Sequence, residues 1–150
     1  MLPHTIFAFI HFVAAFGIMI GLVYERVTLS QTLSIQDAKR IQKADLIYGL
    51  SALAVLIAGF IRIYFYEKGS EFYLASPFFY VKMGAFTVVG VLSIYPTVRF
   101  LKWNKQIKNG EEPIITAQQF STIKLLLNLE IVGVLIMLFA ASAMARGIGM

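Results

Sequence analysis

Residues 77–96 read PFFYVKMGAFTVVGVLSIYP, an apolar run that is interrupted by a single charge, Lys82. A helix needs about 20 such residues to cross the hydrocarbon core of a bilayer, so this stretch predicts a transmembrane helix. Similar runs occupy approximately residues 3–24, 46–65 and 120–145. The sequence therefore predicts an all-α integral membrane four-helix bundle that forms one domain over residues 1–150.

The composition supports a membrane protein. Apolar residues make up 59% of the chain and charged residues 14%, against about 45–50% and about 25% in soluble domains. The chain has no cysteine, which excludes disulfides, iron–sulfur clusters and thiolate metal sites. The net charge of +5 comes from basic residues that flank the apolar spans. We therefore expect a lipid bilayer as the partner and no nucleic acid.

Capping signals mark the helix boundaries. The sequences SIQD at residues 34–37 and TAQQ at residues 116–119 have the form of capping boxes, and Pro77 suits a first helical turn. The second helix is therefore predicted to begin near Ser34 and to protrude from the membrane before it enters the apolar run.

Basic residues concentrate after the first and third spans. They are Arg26, Lys39, Arg40 and Lys43 after the first span, and Arg99, Lys102, Lys105 and Lys108 after the third. The opposite side carries Lys68 and Arg146. The positive-inside rule then places both termini on the non-cytoplasmic side. In a bacterium the protein would be a multi-pass protein of the inner membrane.

Polar and small residues share one stripe on each predicted helix. The stripes are His4, Ala8, His11, Ala15, Ile18, Leu22 and Glu25; Asp45, Tyr48, Ala52, Val55, Gly59, Arg62 and Tyr66; Lys82, Phe86, Val89, Ser93 and Pro96; and Glu130, Gly133, Met137, Ala141 and Met144. Small residues allow close helix packing, and ionisable residues avoid lipid. The stripes predict a compact bundle with an ionisable interior. The alternative for Arg62 and Lys82 is that they extend to the headgroups.

The predicted depths separate the cations from the acid. At about 1.5 Å per residue, Arg62 and Lys82 lie roughly 5–8 Å below the outer boundary, His11 about 12 Å below it, and Glu130 more than about 20 Å below it. Glu130 is then the single deep carboxylate, and the cationic level contains no acid. Since buried charge without a partner is costly, we expect an anion to complete this level.

Haem b is one such anion. His11 can ligate its iron, while Arg62 and Lys82 stand where the propionates would point. The second axial position would be empty or filled by Met83, Met137, neutral Lys82 or a residue of another subunit, which leaves a homo-oligomer open. His11 is thus the predicted metal ligand; the alternative is a structural histidine that is held by a hydrogen bond. Two histidines and one deep carboxylate do not form a zinc or copper site.

Two alternatives use the same residues differently. The cations could bind an anionic lipid headgroup, a quinone-type ligand or a substrate carboxylate, while Glu130 passes protons or is a structural acid that is hydrogen-bonded to backbone or to Ser93. In the other alternative the protein is a non-catalytic membrane subunit whose basic loops bind anionic lipid or a partner protein.

Two resemblances add to this interpretation. The segment DLIYGLSALAVLIAGFIRIYFYEKGSEFYLASPFFYVKMGAFTVVGVLSIYPTVRFLKW, with IHFVAAF near the start and AMARGI near the end, resembles an uncharacterised bacterial family of small four-helix membrane proteins. More distantly, the chain is similar to HemJ-type protoporphyrinogen IX oxidases, in which a helix 1 histidine, a helix 3 lysine and a helix 4 glutamate match His11, Lys82 and Glu130.

The resulting prediction is a haem b-binding inner-membrane redox protein. It would pass electrons or oxidise a porphyrinogen-like or other hydrophobic substrate. Glu130 and Lys82 are the predicted catalytic residues, and His11, Arg62, Lys82, Met83 and Met137 are the predicted cofactor-binding residues. Whether the protein is an enzyme is left open.

Overall fold

The computed structural model describes residues 2–66 and 70–148, so Lys68 lies outside the described residues. Its helices are α1 (Leu2–Thr28), α2 (Ile35–Ile61), α3 (Ser70–Leu74), α4 (Pro77–Lys102), α5 (Asn104–Lys108) and α6 (Ala117–Ala145). A π-helical turn, Arg62–Tyr66, continues α2. Four helices are long and apolar enough to cross a membrane. The predictions of an all-α fold and of four helices that are able to span a membrane are confirmed.

The helices extend beyond the predicted spans at one end of the bundle. α1 continues to Thr28, α2 begins at Ile35, and α4 continues to Lys102. At the start of α2 the Ser34 hydroxyl accepts a hydrogen bond from the Asp37 amide at 3.1 Å. Thr116 and Gln119 form the reciprocal capping box at the start of α6. The predicted start of the second helix near Ser34 is thus confirmed, while its protrusion from the membrane stays a prediction.

The bundle consists of two helical hairpins. α1 packs along α2 in the first hairpin, and α4 packs along α6 in the second, while contacts between the hairpins are sparser. Gly21 brings α1 close to α2, because a Cβ at this position would lie 2.9 Å from the Tyr48 Cβ and 3.1 Å from the Ala44 carbonyl oxygen. Gly133 has the same role opposite Val89 in the second hairpin. Small residues at both interfaces agree with the rules of membrane helix packing.

Hydrogen bonds join the two hairpins at the end that carries residues 29–34 and 103–116, which we call the loop end. Thr32 and Ile114 form an antiparallel bridge between these segments. Arg26 Nε donates to Asn128 Oδ1 at 2.6 Å, and Gln42 Nε2 donates to the Phe100 carbonyl oxygen at 2.6 Å. The two basic segments therefore share one end of the bundle, as predicted.

Candidate functional site

His11 is held against α2 by a defined hydrogen bond. Its Nδ1 lies 3.1 Å from the Val55 carbonyl oxygen. A carbonyl oxygen can only accept, so Nδ1 carries the proton, and in the neutral ring Nε2 is left as an acceptor or a ligand. Gly59 makes room for the ring, because a Cβ at this position would lie 3.3 Å from His11 Cε1. Val55 thus provides a hydrogen-bond acceptor for this imidazole, and Gly59 provides the space for its ring.

His11 lines two adjacent cavities. The inner cavity of about 100 Å³ lies between the two hairpins and includes Lys82, Met83 and Met137 in its apolar lining. The outer cavity of about 420 Å³ is lined by His11, Lys82 and Arg62, together with α3. All five predicted cofactor-binding residues therefore line one cavity or both. The structure brings these residues together, while their role in binding stays a prediction.

The cations surround the outer side of His11. Arg62 begins the π-helical turn, and its guanidinium carbon lies 5.8 Å from the centroid of the Phe12 ring. Lys82 is half-buried and forms no salt bridge with a carboxylate within residues 2–66 and 70–148. Both cations are close enough to His11 to act on it electrostatically. This arrangement favours an anionic group in the outer cavity.

The chemistry of these residues fits haem. Metal-ligating histidines almost always donate the other ring N–H to a carbonyl, a carboxylate or water, which is the arrangement of His11 and Val55. The outer cavity also falls within the range of roughly 300–1,000 Å³ for small-molecule sites. In the described part of the chain, no group of three His, Asp or Glu residues could hold a bare metal ion. His11 is thus a single imidazole that could ligate a metal beside a cavity of small-molecule size.

Glu130 does not line either cavity. It lies in the half of the bundle nearer the loop end with two further acids, and the exposed fractions are 0% for Glu130, 1% for Glu25 and 9% for Asp45. The prediction that Glu130 is the single deep carboxylate is wrong. Glu25 and Asp45 were both on the predicted interior stripes, but their position near the span ends made them resemble boundary residues.

The polar contacts of these acids are incomplete. Thr97 Oγ1 donates to Asp45 Oδ1 at 2.7 Å. The Tyr48 hydroxyl is close enough to Glu130 to interact, yet neither Glu130 oxygen has a partner in hydrogen-bond geometry. Ser93 donates to the Gly90 carbonyl oxygen at 2.7 Å. The alternative in which Glu130 is hydrogen-bonded to backbone or to Ser93 is therefore wrong.

The fold and the buried polar groups define a small helical membrane protein with four apolar helices. Over residues 3–149 the chain matches DUF2214, a family described as predicted membrane proteins. The chain belongs to this family of unknown function, which confirms the resemblance to an uncharacterised family of small membrane proteins. Comparisons with curated proteins and with solved structures find no match.

Proposed function

We propose that this protein binds haem b between its two hairpins and acts in a membrane redox reaction. The observation that carries the proposal is the hydrogen bond from His11 Nδ1 to the Val55 carbonyl oxygen. It fixes the tautomer that leaves Nε2 to serve as an axial ligand. Gly59 supports the same assignment, because it lets the imidazole lie close to α2.

Each cavity residue has an assigned role. Arg62 and Lys82 would bind the propionates, since both line the outer cavity. Met83 and Met137 line the inner cavity and would help to hold the haem through their thioether sulfurs. A bound haem would supply one-electron chemistry, while the apolar lining of the inner cavity would keep water away.

An electron carrier and an oxidase would use these residues differently. In a carrier, His11 and the methionines set the environment of the iron, and Lys82 has only an electrostatic role. In an oxidase of a porphyrinogen-like or other hydrophobic substrate, Lys82 would also contact the substrate, because it lines both cavities. Turnover of protoporphyrinogen by the purified protein, lost in Lys82→Met even when excess haem has been added to restore its Soret band, would identify the oxidase.

The direct test is the visible spectrum of protein that is expressed with a haem precursor and purified in detergent. We expect a Soret band that is lost in His11→Ala and retained in His4→Ala, a matched control on the same helix stripe. Arg62→Met and Lys82→Met should weaken haem retention, and haem titration of the apoprotein measures this effect. A wild-type protein without a Soret band, or an unchanged band in His11→Ala, would contradict the proposal.

A second candidate function is the binding of an anionic, largely apolar molecule such as a lipid or a quinone-type ligand. The lack of a carboxylate partner for Lys82 within residues 2–66 and 70–148 favours it, because any anionic headgroup would neutralise this cation. Native mass spectrometry of the purified protein separates the two candidates. Haem and lipid differ in mass, and loss of the adduct in Lys82→Met would assign it to this site.

We further propose that both termini lie on the non-cytoplasmic side of a bacterial inner membrane. The support is the common location of the two basic segments at the loop end. Because the chain has no cysteine, single cysteines report topology without background. Gln31→Cys should react with an impermeant maleimide only after the membrane is opened, and Ile148→Cys should react in intact cells. The reverse pattern would contradict the orientation.

A further inference from the structure

Three buried acids form a second polar site that the haem proposal does not use. Glu25 comes from α1, Asp45 from α2 and Glu130 from α6, and we call them the acid cluster. Each acid acts electrostatically on at least one of the others. They lie away from the His11 cavities, whose linings include none of them.

The acid cluster contains carboxyl oxygens without partners. Glu130 is 0% exposed and Glu25 1% exposed. Neither oxygen of Glu130 nor Oε1 of Glu25 has a hydrogen-bond partner. A buried carboxylate without donors is unfavourable, and native proteins rarely leave such oxygens unsatisfied without a functional reason. Glu25 and Glu130 therefore have buried carboxyl oxygens that are available to accept a hydrogen bond or to carry a proton.

The groups around the acid cluster show what is missing. From α2 the Tyr48 hydroxyl faces Glu130, and from α4 Thr97 donates to Asp45. Arg26, the residue after Glu25, donates to Asn128, and Arg99, two residues after Thr97, stacks over the Tyr95 ring. Within the described ranges no lysine or arginine forms a salt bridge with these acids. The missing component is therefore positive charge.

We propose that the acid cluster is a proton-binding site that exchanges with the water at the loop end. Each proton that binds neutralises a buried carboxylate and converts one of its oxygens into a hydroxyl donor. Protons suit this site better than metal ions, because no three His, Asp or Glu groups among the described residues have a spacing that could hold a metal. Asp45 is the point of exchange, since it is the most exposed of the three acids and is linked to Thr97.

An apolar layer separates the proton site from the His11 cavities. Ile18, Val89 and Val134 are buried at 5%, 4% and 4% exposure. Ile18 and Val134 also line the inner cavity. Val134 is four residues beyond Glu130, which corresponds to about 6 Å along the helix axis. Proton binding at the acid cluster therefore requires no ligand at His11, and the two proposals can fail independently.

The test uses the full chain without added haem, in detergent or nanodiscs, and dicyclohexylcarbodiimide as the probe. A protonated carboxyl in apolar surroundings adds across a C=N bond of this carbodiimide to give an O-acylisourea, which rearranges to a stable N-acylurea that peptide mass spectrometry locates. We expect adducts on Glu130 or Glu25 that decline as the pH is raised. The exposed Glu112 is the internal control and should remain unlabelled. Labelling should be unchanged by sodium, potassium, magnesium or calcium ions.

Infrared difference spectra provide a second measurement that does not depend on reagent access. Raising the pH should remove a protonated-carboxyl C=O band in the wild type, and this band should be missing or shifted in Glu130→Gln and in Glu25→Gln. The matched control Glu112→Gln should keep it. If one of the metal ions protects the acids from labelling, that ion and not a proton is the ligand of the site, and the proposal is overturned. Absence of both the adducts and the band would also overturn it.

Discussion

Replacing Gly21 with alanine tests how closely α1 and α2 must pack. The added Cβ would lie 2.9 Å from the Tyr48 Cβ, 3.1 Å from the Ala44 carbonyl oxygen and 3.3 Å from the Tyr48 Cα. Two of these atoms belong to the backbone and the third is next to it, so rotation of a side chain cannot relieve the contact. The two helices would have to move apart by a few tenths of an ångström.

The expected magnitude follows from two opposing terms. Overpacking of this kind costs about 1–3 kcal/mol, whereas a helical Gly→Ala change gains about 1 kcal/mol in helix propensity. The control is Gly49→Ala on α2, where a Cβ would meet nothing within 4 Å. We therefore expect the free energy of unfolding of Gly21→Ala to lie about 1–3 kcal/mol below that of Gly49→Ala.

The assay is reversible unfolding in mixed micelles, followed by circular dichroism as the fraction of denaturing detergent is raised. Equal free energies of unfolding for the two variants would refute the reasoning, because they would mean that α1 and α2 can separate at no cost. A functional readout follows from the same geometry. Separation of the helices would lengthen the contact between His11 and Val55, so Gly21→Ala should also bind less haem than Gly49→Ala.

Three further changes test other parts of the bundle. Gln42→Leu removes the hydrogen bonds to the Phe100 carbonyl and to Asn104 and should lower the free energy of unfolding by about 1–3 kcal/mol. The control is Gln36→Leu, at an exposed position of the same helix. Equal stability of the two variants would count against the role of Gln42. Gly59→Leu places a side chain against His11 and should reduce haem retention in a pulldown on haem-agarose. Gly84→Leu, at a site with open space, should not. Equal retention in the two variants would argue against the need for space beside His11 at residue 59. Thr116→Ala breaks the capping box of α6 and should lower the free energy of unfolding by about 1 kcal/mol, whereas Thr116→Ser should keep the wild-type stability. An unchanged midpoint of thermal unfolding in Thr116→Ala would contradict this prediction.

Hydropathy and helical periodicity predicted most of the fold. The four apolar runs identified the spans because the bilayer requires a minimum length of apolar helix. The stripes correctly placed Leu22, Val89 and Glu130 in the interior. Hydropathy alone could not predict that α1 and α4 continue to Thr28 and Lys102, because their last turns contain charged residues.

The candidate site was only partly predictable. Periodicity correctly brought His11 and Lys82 towards the same region, since both lie on interior stripes. The π-helical turn that begins at Arg62 has no sequence signature, so the position of this guanidinium required the structure. The burial of Glu25 and Asp45 was missed because both residues lie just outside the predicted apolar spans. Asp45 is nevertheless ten residues inside helix α2, which begins at Ile35.

The hydrogen bonds between the hairpins have a consequence for how a bulky ligand reaches His11. Those made by Arg26, Gln42 and Thr97, together with the bridge at Thr32, all lie in the half of the bundle near the loop end. These four connections hold the two hairpins together on the side of the bundle away from the His11 cavities. A ligand that widens the space around His11 therefore leaves all four of them intact.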